Sequence, residues 1–469
     1  MPRQQRIRDP LHDLIEFDIE RSQLEDVLWR VIQTRAFQRL RRIKQLGFSD
    51  FVYPGATHSR LLHSVGVFHT ARRLMKVIEK YLPAKDARVD QALAAALLHD
   101  LGHGPFSHAF EKIGERFDLK MANHEAVSEI LIRDSEISEL LRDMGSGFAN
   151  DVADMVSGSG TPTIYSAVVS SQFDADRLDY MRRDRLMTGS QHAGIDFEWL
   201  MANLEVGDVE YSVDETRLKP VQTFVLGRKA IFAAEAYVLG LFQLYPTVYF
   251  HKATRGAEKI YTELLSRTIM LIRDGSVGKT GLPEMHPLVK FARTPDAIEN
   301  ALALDDTVIW GALPLMANSN DEWISKFAER VRDRKLYKCI DVRAKIAHDK
   351  DDGAALSFEA DAACAVIRDE IGKCLEEWSI KCPDAPPRIL IDEVERSPYN
   401  KLTEDTKGPL NQINIRTDGD HLVDLSKRSN VVAELKRYKA FRVYHADDDD
   451  EAKTKISEII DAGISKWPT

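Results

Sequence analysis

The chain has 469 residues, 44% hydrophobic and 29% charged, which is enough apolar content for a large core in one or two domains. A formal net charge of −10 argues against broad nonspecific binding to nucleic acid and leaves room only for local basic patches. The apolar run Ala92–Leu98 falls far short of the roughly 20 residues of a membrane span, and the polar start Met1–Arg6 leads into no apolar segment. The four cysteines, Cys339, Cys364, Cys374 and Cys382, lack CxxC spacing. The expectation is a cytoplasmic protein with free thiols and no membrane contact.

Residues 6–19 alternate apolar and polar around Ile15, Phe17 and Ile19, which predicts a short strand or extended arm. Three- and four-residue spacing from Gln23 to Gln45 (Leu24, Val27, Leu28, Val31, Ile32, then Phe37, Leu40 and Ile43) predicts a helix that ends at Gly47. Beyond the turn Tyr53–Ala56, a helix is expected over His58–Leu82 with Pro83 as its stop, and it carries Arg60 and His63 on one face. Asp90 is read as the cap of an Ala-rich helix running to His99–Asp100. Gly102, Gly104 and Pro105 then break that helix and leave His103 at its end, facing a cavity.

A short helix over Ser107–Phe117 and another capped by Asn123, beginning His124–Glu125, follow. After the Ser/Gly-rich segment 157–162, Asp176, Tyr180 and Asp184 recur every four residues, on one side of a helix. Residues 196–345 read as largely helical, with turns near Gly207 and Gly275 and a stripe through Phe232, Ala236, Leu239, Phe242 and Tyr249. The composition shifts at Asp349–Gly353, and strand-like runs at 388–391, 412–415 and 441–444 follow. The expected architecture is therefore mainly α, with a helical domain over 1–348 and a smaller α+β lobe over 349–469.

Seven of the fourteen histidines lie between His58 and His124, about a seventh of the chain. His-Asp dipeptides recur by chance, as at His12-Asp13 and His348-Asp349, so His99-Asp100 alone proves nothing. The density of imidazole and carboxylate does carry weight, because together they form the mixed ligand set of first-row divalent cations. The candidates are His63 from one helix, His99 and Asp100 from the next, and one of Asp174, Asp176 or Asp179 from a later helix, between which the spacing does not choose.

The order His, His-Asp, Asp resembles the HD phosphohydrolase superfamily. Pro54–Val67, His99–His108 and Asp176-Arg177-Leu178-Asp179-Tyr180 are similar to its deoxynucleoside triphosphate triphosphohydrolase branch, which includes a vertebrate antiviral enzyme. The likeness runs from near Arg6 through Arg334–Lys338 into the C-terminal lobe, with the metal core at about 50–190. It implies His63, His99, Asp100 and Asp176 as ligands of a divalent metal (Mg²⁺, Mn²⁺ or Fe²⁺), and His103, Glu111, His124 and Glu125 as proton-transfer residues. Glu111 stands where the vertebrate enzyme has aspartate.

The resemblance further implies Arg60 and Arg177 on phosphate oxygens, Gln45 and Asp184 on the sugar 3′-hydroxyl, Tyr180 and Tyr249 closing the space of a ribose 2′-hydroxyl, and His108 as a further active-site histidine. A carboxylate beside these imidazoles is expected to keep them protonated for donation to a leaving oxygen. The implied reaction is attack of activated water on the α-phosphorus of a dNTP, releasing deoxynucleoside and inorganic triphosphate.

Gln38, Arg41, Arg334 and Lys338 match a regulatory site for an activating nucleotide in a homo-oligomer, a dimer or tetramer. Gln33 departs from that site, because the vertebrate enzyme reads guanine there with an aspartate. Two other readings stand beside this one. One is an HD phosphohydrolase acting on a nucleoside monophosphate, cyclic nucleotide or single-stranded nucleic acid, and the other is a nucleotide-sensing oligomer with an inert site.

Overall fold

The computed structural model describes residues 4–82, 86–210, 212–213, 216–217, 220–349, 358–397, 399 and 412–466. The expected stop at Pro83 and most of the composition shift at Asp349–Gly353 lie outside the described residues. The fold is mainly α, as expected. It forms two compact units: Met1–Gly114 with Asp118–Leu244 and Ser397–Lys436, and Glu115–Phe117 with Tyr245–Arg396 and Arg437–Thr469. The boundary expected at 348/349 falls inside the second unit, and the first reclaims a late segment.

The first unit opens with an antiparallel hairpin, Gln4–Asp9 against Asp13–Asp18, in which Ile15 and Phe17 are buried. The predicted helix over Gln23–Gln45 is two helices, α1 (Gln23–Ile32) and α2 (Arg35–Arg39). Thr34 divides them: its hydroxyl donates to Val31 O and accepts from Phe37 N, ending one helix and capping the next. α3 (Arg60–Ile78) is capped by Ser59, and α4 (Ala87–Leu98) by Asp86 instead of Asp90, the Asp86 carboxylate accepting from Arg88 N at 2.9 Å.

α5 (His108–Phe117) precedes α6 (His124–Arg133), whose cap is Asn123 as the sequence predicts. α7 (Glu136–Leu141), α8 (Phe148–Ser157) and α9 (Ile164–Val169) lead to α10 (Ala175–Thr188), which starts on the Asp174 cap and ends at Gly189 with φ +70°. α3 packs against both α4 and α10. That arrangement brings three distant stretches of sequence to one point.

Residues 196–345 contain more than helix. Leu204–Val209 and Val221–Leu226 pair antiparallel, and the latter continues parallel to Asn414–Arg416, which pairs with Leu422–Asp424. Gly207 therefore lies in a strand and not in a turn. The stripe expected on the following helix is also displaced: Phe232 is 78% exposed, and Ala234, Tyr237, Leu241 and Leu244 make the buried face. Nearly all of that helix is apolar, so periodicity gives no preference between faces. Arg228–Tyr249 is the one stretch among the described residues long and apolar enough to cross a membrane, and Tyr237 within it is fully buried and donates to Gln172 O.

In the second unit Tyr438–His445 is the central strand, antiparallel to Lys338–Asp341 on one side and Ile389–Arg396 on the other. Phe441 and Val443 pack with Ile367, Ile371, Ile456 and Ile460 of two long helices, the mixed α+β core expected of the C-terminal region. All four cysteines are free.

Candidate metal centre and active site

His63 sits on the second turn of α3, fully buried. Its Nδ1–H donates to Asp179 Oδ2 at 2.9 Å, which turns Nε2 toward Asp176 Oδ1, also at 2.9 Å. His99 caps the end of α4, and its Nδ1–H donates to Ala96 O at 3.0 Å. Its Nε2 is buried without a hydrogen-bond partner, 3.4 Å from Asp100 Oδ1 and 3.6 Å from Asp176 Oδ1. His63 Nε2 is 3.8 Å from Asp100 Oδ2.

Both imidazoles thus turn Nε2 toward the same carboxylates, the arrangement of metal-ligating histidines held by an outer hydrogen bond. An orphaned buried nitrogen among carboxylate oxygens fits a divalent cation, and His63, His99 and Asp176 converge closely enough to share one. Burial opposes charge on His63, but Asp176 and Asp179 outweigh it and push its pKa up to about 10, so this position calls for a positive charge.

Of the three aspartates that spacing left open, each has a separate place. Asp174 caps α10, accepting from Arg177 N at 2.7 Å and Ser171 N at 3.1 Å. Asp176, one turn on, faces the two histidines. Asp179 lies behind His63, where it accepts from His12 Nε2 at 2.7 Å and from Arg183 Nε at 2.7 Å, while Arg183 Nη1 also donates to Asp9 Oδ2 at 2.9 Å. His12, whose dipeptide looked like chance, and Arg183 are supporting residues that sequence reasoning missed. Arg183 is four residues from Asp179 on α10, but nothing in local spacing marks His12, because the hairpin and α10 meet only in three dimensions.

Asp100 joins this cluster to a second one. Its Oδ2 accepts from Arg60 Nη1 and its Oδ1 lies 3.2 Å from His103 Nε2. Burial would raise the Asp100 carboxyl, and Arg60, His99 and His103 hold it well below its ordinary range. His103 stacks on His124 with centroids 4.0 Å apart and planes 9° from parallel. His124 Nδ1 bonds Glu111 Oε1, and Glu111 Oε2 accepts from His108 Nδ1 at 2.8 Å. Burial would raise Glu111, but hydrogen bonds from His108 and His124 hold it well below the usual carboxylate range. The glutamate in place of aspartate therefore reaches both imidazoles.

His103 departs from the expectation of a protonated imidazole. Burial first, then Arg60 and His124, lower its pKa well below the ordinary value and outweigh Asp100. It is also buried, not open at a helix end. Glu125 is exposed on the first turn of α6. Gly102 lets α6 approach: a Cβ there would come within 2.2 Å of His124 O and 2.5 Å of Ser128 N.

Arg60 is buried and bonded through Nε to Ser107 Oγ at 2.8 Å as well as to Asp100. Ser107, another residue the sequence did not single out, follows Phe106, and both hold positive φ (+55° and +57°), a strained pair beside the cluster. Arg177 is half-buried next to Asp176. The Gln45 Oε1 atom is buried without a hydrogen-bond partner. Tyr180 is half-buried on α10, and Asp184 is buried and bonded to His58 Nε2 at 2.9 Å. Gln38 donates to Ile32 O and accepts from Arg41 Nε. Tyr249, Arg334 and Lys338 belong to the second unit, the last two exposed.

Residues 60–181 match the family model described as the HD domain. The uncharacterized protein YwfO of Bacillus subtilis is 29% identical over 97% of this chain and 96% of its own. Deoxynucleoside triphosphate triphosphohydrolase SAMHD1 of Mus musculus is 28% identical over 71% of this chain, which spans about half (53%) of that protein. A phosphohydrolase structure from Bacteroides thetaiotaomicron superposes with a TM-score of 0.70 over 94% of this chain and 100% of that one, at 24% identity, a likeness of fold.

Proposed function

We propose that the chain hydrolyses deoxynucleoside triphosphates to deoxynucleoside and inorganic triphosphate, with a divalent cation held by His63, His99, Asp100 and Asp176. The observation that carries this is the shared carboxylate: Asp100 touches the orphaned His99 Nε2 region on one side and the His103–His124–Glu111 relay on the other. When bound, the cation polarises a phosphoryl oxygen and lowers the pKa of water.

The chain's own residues supply the rest. Water adds to the α-phosphorus, the bond from phosphorus to the 5′-oxygen breaks, and that oxygen needs a proton as it leaves. His124 is the donor in this reading, because Glu111 Oε1 bonds its Nδ1 and His103 stacks on its ring, which together fix the direction of Nε2. Arg177 offsets charge on the triphosphate together with Arg60, whose Nε and Nη1 are held by Ser107 and Asp100. The motif resemblance and the SAMHD1 relatives, which are named as deoxynucleoside triphosphate triphosphohydrolases, support this substrate.

Incubation of the purified chain with each dNTP and Mg²⁺ or Mn²⁺, resolved by anion-exchange chromatography, should yield equal amounts of deoxynucleoside and triphosphate. No deoxynucleoside from any dNTP, with or without added nucleotides, contradicts the proposal. Phosphate released only from nucleoside monophosphates, or a nucleoside monophosphate formed only from a cyclic nucleotide, assigns the site to another phosphoester.

A further inference from the structure

A pocket of about 600 Å³ opens along α3, with His69 in its lining. Arg73, Lys76, Val77 and Lys80 line it at helical spacing, the last in the turn that closes the helix, with Glu198 and Met201 opposite. Arg73 Nη1 and Nη2 form a two-pronged pair with Glu198 at 2.8 and 2.6 Å. Lys76 and Lys80 are exposed and make no ion pair among the described residues.

Three cations therefore face one carboxylate. Like charges three and four residues apart on a helix repel, and an anion bound among them relieves that repulsion. Neighbouring Arg72, by contrast, is bound to Glu16 O and Glu25. Arg182, which like Arg73 packs on the ring of Phe197, has a buried Nη1 without a hydrogen-bond partner. The excess positive charge thus extends below the pocket, while Val77 and buried Met201 supply an apolar wall.

We propose that this pocket binds an oligophosphate anion, free or at the end of a nucleotide, through Arg73, Lys76 and Lys80. The inference is independent of the reaction proposed above. The test is isothermal titration of inorganic triphosphate into the full chain, without divalent cations and at about 150 mM salt, where exposed charges are screened beyond roughly 8 Å. Lys76→Gln/Lys80→Gln should bind at least tenfold more weakly with an unchanged melting temperature, and Glu198→Gln about threefold more tightly. Asp176→Ala should retain the same binding event, which separates it from the candidate active site. Absence of binding to wild type, or an isotherm indifferent to Lys76, Lys80 and Glu198, overturns the proposal. So does tight binding confined to single-stranded oligonucleotides, which would mark a nucleic-acid track.

Discussion

His99 and His63 do similar work by different means. One is oriented by a main-chain carbonyl and the other by Asp179, and each hydrogen bond turns Nε2 toward Asp176. Removing a ligand and removing a relay residue should therefore separate. Asp176→Ala is expected to lose bound metal by atomic absorption, and His124→Ala to retain it while turnover falls by about 10²–10⁴-fold, the usual span of a general acid. Equal metal loss in both variants would mean that the relay is itself part of the ligand set.

At the scale of elements, the site depends on how closely α3 meets α10. Gly66 is the contact: a Cβ there would lie 2.1 Å from Arg183 Nη2 and 2.3 Å from Asp179 Oδ1, a buried pair that cannot move into solvent. Gly66→Ala should cost ~3 kcal/mol or more in denaturant unfolding, as other disruptions of buried charge networks do. An unchanged midpoint would show that the network yields. Gly66 was visible only as part of a motif, because its reason lies across the helix pair.

The same distinction explains what the sequence disclosed. α10 and the cap of α6 were legible because period and capping chemistry are local, and the motif order named three of the proposed ligands without a fold. The strands at 204–226 were hidden in a region that reads as helix, since their pairing with Asn414–Arg416 is formed about 190 residues away. For the same reason the unit boundary escaped composition, and His12 looked accidental until the hairpin placed it on Asp179.

For the whole molecule, His69 carries an acid sensitivity. Burial, with His12 and Arg72, lowers its pKa from 6.5 to about 4. The folded state keeps it neutral while the unfolded chain takes up a proton below about 6.5, so stability is full above that pH and is lost as pH falls toward 4. The loss is at most ~3 kcal/mol at 1.36 kcal/mol per pKa unit. Unfolding of His69→Gln followed between pH 7 and 4 should show a shallower decline than wild type, and parallel curves would contradict this origin.

The central claim is that side chains from α3, α4 and α10 share one cation. Anomalous diffraction from crystals soaked in Mn²⁺ tests it directly. The account predicts a peak within about 2.2 Å of ligand atoms of His63, His99, Asp100 and Asp176. A peak confined to His108, Glu111 and His124, or none among these residues, would contradict it.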